Sequence, residues 1–253
     1  MTMTRPGEVQ SVARAIDVLE LLADLGRPTA LSEISEETGL PLPTIHRLIR
    51  TLVARGYARQ LPSRRYTLGP RAVRIGEVAG RQLGAGTRPH LERLARELGE
   101  SANLAMLDGD MAVYVAQASS TQSMRMFTEV GRRVHCHCTG VGKTILAQLP
   151  SEQVRAIIGS AGMPPATPSS LTTLDDLLAE LALIRSRGYA IDDGEQELGV
   201  RCFAVAVPGS PTPAALSISG PETRVTADFG ENAVPILRDA AAAVGEQMLG
   251  SAG

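Results

Sequence analysis

Two short helices meeting at a glycine, the second opened by proline, are written into residues 31–56, and no other feature restricts the fold of the first part of the chain so tightly. Leu31 to Gly39 reads as one helix, with Ser32 as N-cap, acids in its first turns and Gly39 as C-cap. Leu40-Pro41-Leu42-Pro43 is a tight connection, and Pro43 suits the first turn of the next helix. There Ile45, Leu48, Ile49 and Leu52 fall at i, i+3, i+4 and i+7, an apolar stripe that Gly56 ends. Thr44, His46, Arg47, Arg50 and Thr51 occupy the remaining faces. An earlier helix, capped by Ser11 and ending near Gly26, carries Val12, Ala15, Ile16, Leu19 and Leu22 at helical spacing. Three helices in this order predict a helix-turn-helix whose last member fits a DNA major groove.

Tyr57 to Leu61 and Tyr66 to Leu68 flank Pro62-Ser63-Arg64-Arg65, which predicts a β-hairpin wing with two arginines at its tip. Thr44, His46 and Arg47 are the expected base readers, and Arg50, Arg64 and Arg65 the expected phosphate contacts. Charge supports this. Nine arginines and one acid, Glu77, lie between Arg47 and Arg81, in a chain whose net charge is only -2. Such a block predicts a polyanion-binding surface. A solvated arginine-biased face and a helical protein–protein module are the competing readings. The winged helix-turn-helix is placed at 1–69. A glycine-interrupted linker helix follows at 70–86, able to connect the wing onward and to pack on a second subunit.

Residues 87–253 read differently. Thr87 to Glu100 has helical spacing, and Asp108-Gly109-Asp110 between two apolar runs signals a short hairpin. Strands are expected around Met124–Phe127 and Arg133–Cys138, then helices at Val141–Leu149, Ser151–Ser160 and Thr173–Arg187. Strands return at Tyr189–Asp192, Cys202–Val207 and Ala214–Ser219, before a closing helix from Asp228 to Leu249. Hairpins, then helices, then hairpins predict an α+β unit with an antiparallel sheet.

Four motifs could carry chemistry. Gly140-Val-Gly-Lys-Thr144 suggests a P-loop, but that pattern needs glycine five positions before Gly142, where His137 stands. The simpler reading is a helix start whose free N–H groups face a small anion, with a glycine-rich start and a solvent-exposed lysine as the plain alternative. Lys143 is the chain's only lysine. His135-Cys136-His137-Cys138 offers four metal-ligand types, yet on a strand its histidines and cysteines would point to opposite faces, so no metal or other cofactor is assigned. Cys202, in a strand entering the core, reads as an inert buried thiol, and no catalytic residue is assigned. Asp192-Asp-Gly-Glu-Gln-Glu197 is either a solvated acidic loop or a source of one inward carboxylate. Met1 to Glu8 lacks the apolar stretch of a secretory signal, no run approaches a membrane span, and the three cysteines are too few for a disulfide scaffold. A cytoplasmic protein without membrane contact is expected.

The residues also carry a resemblance. Ser11-Val-Ala-Arg-Ala-Ile-Asp-Val-Leu19, Gly39-Leu-Pro-Leu-Pro-Thr-Ile-His-Arg-Leu48, Tyr66-Thr-Leu-Gly69, Thr139-Gly-Val-Gly-Lys-Thr144, Gly188-Tyr-Ala-Ile-Asp-Asp-Gly-Glu195, Gly199-Val-Arg-Cys202 and Leu216-Ser-Ile-Ser-Gly-Pro221 occur in the order and spacing of IclR-type transcriptional regulators. The chain resembles that family over nearly its whole length. The resemblance implies a winged helix, a linker helix and a GAF-like effector domain. It implies dimers, often paired into tetramers, on palindromic double-stranded operators, and a small organic acid as effector. Carried over by position, the effector site comprises Gly140 and Val141 at the helix start, Asp192 as the inward acid, Val200, Cys202, and the serines Ser217 and Ser219. Met126 and Val134 form its apolar wall. Val141 stands where the family often has a smaller residue, and Ser123 where it is often apolar. Two other readings stay open: a thiol enzyme or nucleotide hydrolase with an attached regulatory module, and a DNA-binding protein without an effector.

Overall fold

The computed structural model describes residues 9–84, 86–126 and 128–250, and the chain divides between Ala79 and Gly80 into two units. In the first, α1 (Gln10–Leu25), α2 (Leu31–Thr38) and α3 (Leu42–Ala54) bury Val18, Leu22, Ile34, Ile45 and Ile49 against one another. Gly26 and Gly39 close α1 and α2 in the left-handed region, where a glycine carries no Cβ penalty. The two serine caps do not form. Val12 and Ala13 donate to the carbonyl of Val9, and Ile34 donates to that of Ala30, so each helix starts earlier and Ser11 and Ser32 lie inside the first turn.

β1 (Ala58–Gln60) and β2 (Tyr66–Leu68) pair antiparallel, with Gln60 opposite Tyr66. Thr29 joins as a third rung, exchanging backbone bonds of 2.9 and 2.8 Å with Tyr66, which ties the wing to the turn before α2. The tip closes where Leu61 donates to the carbonyl of Arg65 and Arg64 to that of Leu61. Arg64 has φ 61°, the only positive φ at a non-glycine among the described residues. Helix α4 (Pro70–Leu83) follows.

The second unit contains a six-stranded antiparallel sheet in the order β5-β4-β3-β8-β7-β6. Its strands are β3 (Ser101–Asp108), β4 (Met111–Ala118), β5 (Arg133–Val134), β6 (Ala190–Asp193), β7 (Val200–Ala206) and β8 (Ala214–Pro221). Side chains alternate between faces. One face sends Leu104, Met106, Phe203, Val205, Leu216 and Ile218 against α5 (Arg88–Leu98) and α9 (Ala227–Gly250). The opposite face is split. Ala105, Ala190, Ala204 and Ala215 are small enough to let α6 (Gly140–Ala147) and α8 (Leu174–Arg187) lie close, with Val141, Ile145, Leu181 and Ile184 filling the layer and α7 (Ser151–Ala161) outside it. The rest of that face is polar.

Two expected strands change. Only Arg133–Val134 pairs, with β4, because Cys136–Cys138 turns into a 3-10 helix that delivers Thr139 to cap α6. The strand expected at Met124–Phe127 is not one over Met124–Met126, since the carbonyls of Met124 and Met126 are taken by the side chains of Arg224 and Ser101; Phe127 lies outside the described residues. No helix among the described residues is long and apolar enough to cross a membrane.

Candidate functional site

In the first unit, burial of Ile45, Ile49 and Leu52 turns His46, Arg47 and Arg50 to solvent, while Thr44 is half-buried. Thr44 and Arg47 border a groove of about 680 Å3 between α1 and α3, floored by Ala15, Leu19, Leu48 and Leu52. The wing arginines differ from each other. Among the described residues the Arg64 side chain makes no hydrogen bond or ion pair, whereas Arg65 donates to the carbonyl of Pro28 at 3.2 Å and lies 3.8 Å from Glu33. Glu33 is also bonded by Arg27, and that pairing holds its carboxyl below the usual range. Arg65 is therefore partly spent on holding the wing to α2.

In the second unit, strand register brings the polar residues together. Asn103 stands opposite Ser217, Ser219 opposite Cys202 and Ser101, and Cys202 opposite Asp192. Opposed residues share a face, so all six lie on the side of α6. Asn103 Nδ2 is 3.5 Å from the hydroxyls of both Ser217 and Ser219. The start of α6 is pressed onto this patch: a Cβ on Gly140 would stand 3.0 Å from Cys202 Sγ, and one on Gly142 only 2.4 Å from Cys136 Cα. Glycine is required at 142 by that approach. Thr139 Oγ1 accepts from Gly142 N at 3.1 Å, capping the helix.

Asp192 is 5% exposed, and its Oδ1 accepts from the backbone N–H of Glu195 at 2.8 Å and of Gln196 at 3.4 Å. Burial, reinforced by the nearby Glu195 carboxylate, pushes Asp192 up to about 7. The acidic segment is thus not a solvated loop, since Glu195 is buried too. Lys143 is not solvent-exposed either: it is 1% exposed, donates to the carbonyl of Ile191 at 2.6 Å, and forms an ion pair with Glu195. Behind it Glu180 stands 3.9 Å away, itself paired with Arg187 at 2.7 Å. An ammonium so engaged is not free to cradle a phosphate.

Burial pushes the Cys202 thiol up to about 12, with Asp192 adding to the shift, so it is held protonated and is not the thiolate a nucleophile requires. Cys136 and Cys138 are also driven up to about 12, by burial first. The 3-10 turn removes the strand alternation expected for His135–Cys138; the two histidine rings meet edge to face at 5.4 Å, and His137 Nε2 is 3.1 Å from the carbonyl of Pro164. Among the described residues no three His, Cys, Asp or Glu are grouped to hold a metal.

Of the residues expected in an effector site, Gly140, Asp192, Cys202, Ser217 and Ser219 converge. Val141 and Val134 lie in the apolar layer beside them, Val200 sits two residues before Cys202, and Met126 meets the patch through its carbonyl, which accepts from Ser101 Oγ at 3.0 Å. Ser123 is exposed. Asn103 and Tyr114 are not legible as site residues, and Glu195 only as one member of the acidic run. Asn103 is a polar residue inside an apolar run, which is a signal of a buried role, whereas Tyr114 reaches this face only after the register shift in β3–β4. Burial raises the Tyr114 phenol, and Cys202 and Asp192 are among the groups that act on it.

A winged helix-turn-helix with a basic exposed face, on one chain with a sheet-and-helix unit built around a buried polar patch, defines a DNA-binding transcriptional regulator. Residues 11–62 match the IclR helix-turn-helix domain, and residues 77–246 match Bacterial transcriptional regulator IclR C-terminal. The chain belongs to the IclR family of bacterial transcriptional regulators. It is 35% identical to the Transcriptional repressor IclR of Escherichia coli K12, over 96% of this chain and 93% of that protein. The crystal structure of an IclR transcriptional regulator from Alicyclobacillus acidocaldarius superposes with a TM-score of 0.85 at 29% identity, covering 95% of this chain and 99% of the other. An IclR homologue from Microbacterium hydrocarbonoxydans, crystallised with 4-hydroxybenzoate, gives 0.77 at 26% identity, covering 95% and 99%. Its relatives include proteins named as transcriptional repressors.

Proposed function

We propose that the chain is a cytoplasmic, homo-oligomeric regulator whose affinity for a palindromic operator is set by a small organic acid. Residues 1–69 bind the DNA, 70–86 link, and 87–253 bind the effector and assemble dimers, which pair into tetramers. The observation that carries the effector reading is the convergence of Ser217, Ser219, Cys202 and Asp192 on the start of α6, where buried hydroxyls and helix N–H groups offer donors to a carboxylate. The 4-hydroxybenzoate complex of the Microbacterium homologue supports an acid of this kind. Met126, Val134, Val141 and Val200 wall the apolar part of the ligand, with Gly140 at the helix start. At the DNA, Thr44, His46 and Arg47 read bases, while Arg50, Arg64 and Arg65 contact phosphate. The effector acts by linkage, shifting the spacing of the two reading helices in a dimer by its differential affinity for two arrangements.

The test is a fluorescence-anisotropy titration of the protein with DNA from upstream of its own gene, against a scrambled duplex, at two salt concentrations. Tight, sequence-preferring, salt-sensitive binding that small carboxylic acids release or tighten is the expected result. Equal binding to both duplexes, together with no preferred site in a genome-wide selection, would overturn the operator reading. Specific binding untouched by any acid would overturn the effector reading alone.

A further inference from the structure

Asn103 is 1% exposed, and its Oδ1 is a buried acceptor without a hydrogen-bond partner. A buried amide oxygen left unpaired is costly, and such atoms are uncommon in folded proteins. The neighbouring donors on this face are already engaged. Ser101 Oγ donates to the carbonyl of Met126 and accepts from Ser120 N at 3.2 Å. Gln117, opposite Asn103 on β4, has its amide against the backbone of Thr128, and with its amide oxygen and nitrogen exchanged it pairs there through two bonds, of 2.8 and 2.9 Å. The other end of the Asn103 amide is directed at Ser217 and Ser219. Those hydroxyls also reach the Cys202 sulfur, a weak partner that a carboxylate oxygen can replace as acceptor of their O–H groups. The patch therefore has two kinds of edge. The serine hydroxyls and the α6 start supply donors, and Asn103 Oδ1, within one strand of them, requires one.

We propose that Asn103 is a specificity-determining residue of this patch, its Oδ1 selecting carboxylic acids that also carry a hydroxyl over the keto and unsubstituted acids of the same skeleton. The inference rests on the effector reading above and deepens it. A carboxylate or a keto oxygen only accepts, so it can satisfy the serines but leaves Oδ1 unpaired. A hydroxyl donates to Oδ1 while the carboxylate takes the serine and helix donors. Sites with a buried polar group discriminate strongly against analogues that leave it unpaired.

Lactate, pyruvate and propionate share a three-carbon skeleton and differ only at the carbon beside the carboxylate. Calorimetric titration of the full chain with each, in wild type and in Asn103→Leu and Asn103→Ala, tests the proposal. Wild type is expected to bind lactate about tenfold or more tightly than the other two, and both variants to lose that preference. Asn103→Leu is also expected to melt no lower than wild type without ligand, since it removes an unpaired polar atom from the interior. A residue with a merely structural role would lower the melting temperature and leave the preference intact. Pyruvate or propionate binding wild type as tightly as lactate, or a preference that survives in both variants, overturns the proposal while leaving the acid effector standing. Binding of none of the three overturns the proposal, and the effector reading is then decided separately by the operator titration with other carboxylic acids.

Discussion

Lys143 and Glu195 show how a single contact governs both stability and what the site can do. The ammonium is satisfied by Glu195 and the carbonyl of Ile191, so it braces the turn after β6, in which the N–H of Glu195 donates to Asp192. Removing one partner of a buried pair strands the other charge at a cost of about 3–5 kcal/mol, whereas removing both with apolar residues is often near neutral. Lys143→Met should therefore destabilise the chain by that amount in urea unfolding, and the double variant Lys143→Met with Glu195→Leu should recover most of it. A single variant no less stable than wild type would show that the pair contributes nothing. Asp192 gives a pH signature. Its carboxyl is pushed up to about 7 in the folded chain from the ordinary 3.8, so between those values the folded state holds more protons than the unfolded one. Its contribution to stability is thus full below about pH 4 and is lost as pH rises to about 7, at up to roughly 1.4 kcal/mol per pH unit. Asp192→Asn keeps an acceptor for the N–H of Glu195 and removes the charge. The variant should melt above wild type at pH 8, with the gap closing toward pH 4; a gap independent of pH would refute the shift. In the sequence, Asp192, Cys202 and the two serines could be placed by resemblance. The partner of Lys143 could not, because it lies 52 residues away and the pairing exists only once the β6–β7 loop folds inward.

At the scale of elements, the helices of the first unit follow from apolar spacing, and their starts do not. Val9 and Ala30 open α1 and α2 with backbone carbonyls alone, which a search for serine caps passes over. The same limit applies to the segment around Met124, where side chains from distant elements take the backbone carbonyls that a ladder would need. The wing, by contrast, was legible from its turn, though not the left-handed backbone of Arg64. Arg64 is exposed, and among the described residues its guanidinium has no hydrogen bond or ion pair, while its neighbour Arg65 is held against α2. The two arginines of α3 and the wing should then behave differently. Arg47→Ala is expected to cost about 1–3 kcal/mol on the preferred operator and to relax sequence preference. Arg64→Gly should weaken binding to every duplex alike and reduce the salt slope by about one, without lowering the melting temperature, because glycine adopts a positive φ freely. Anisotropy on cognate and scrambled duplexes over a salt series separates these outcomes. Unchanged affinity and preference in Arg47→Ala would remove that residue from the reading face.

For the whole molecule, charge is divided as function is. Residues 1–82 carry a formal charge of +4 and residues 83–253 one of -6, so attraction to DNA belongs to the first part, and the second must act on it through free energy, not by direct attraction. If an acid bound in the second unit changes operator affinity by some factor, the closed cycle of binding steps requires that operator DNA change affinity for the acid by the same factor. Couplings of this kind are typically about 1–3 kcal/mol, or roughly 5–150-fold. The prediction is quantitative without knowing the arrangement of the two units. Operator affinity is measured with and without saturating acid, then acid affinity with and without saturating operator, using one buffer and one protein concentration. The two ratios are expected to agree. Unequal ratios would mean that the acid or the operator alters the assembly state, and a coupling left unchanged by Cys202→Ser and Ser217→Ala, which alter the patch but leave the winged helix untouched, would mean that the acid binds elsewhere. Equal ratios abolished by those substitutions would locate the regulatory free energy in the patch beside α6.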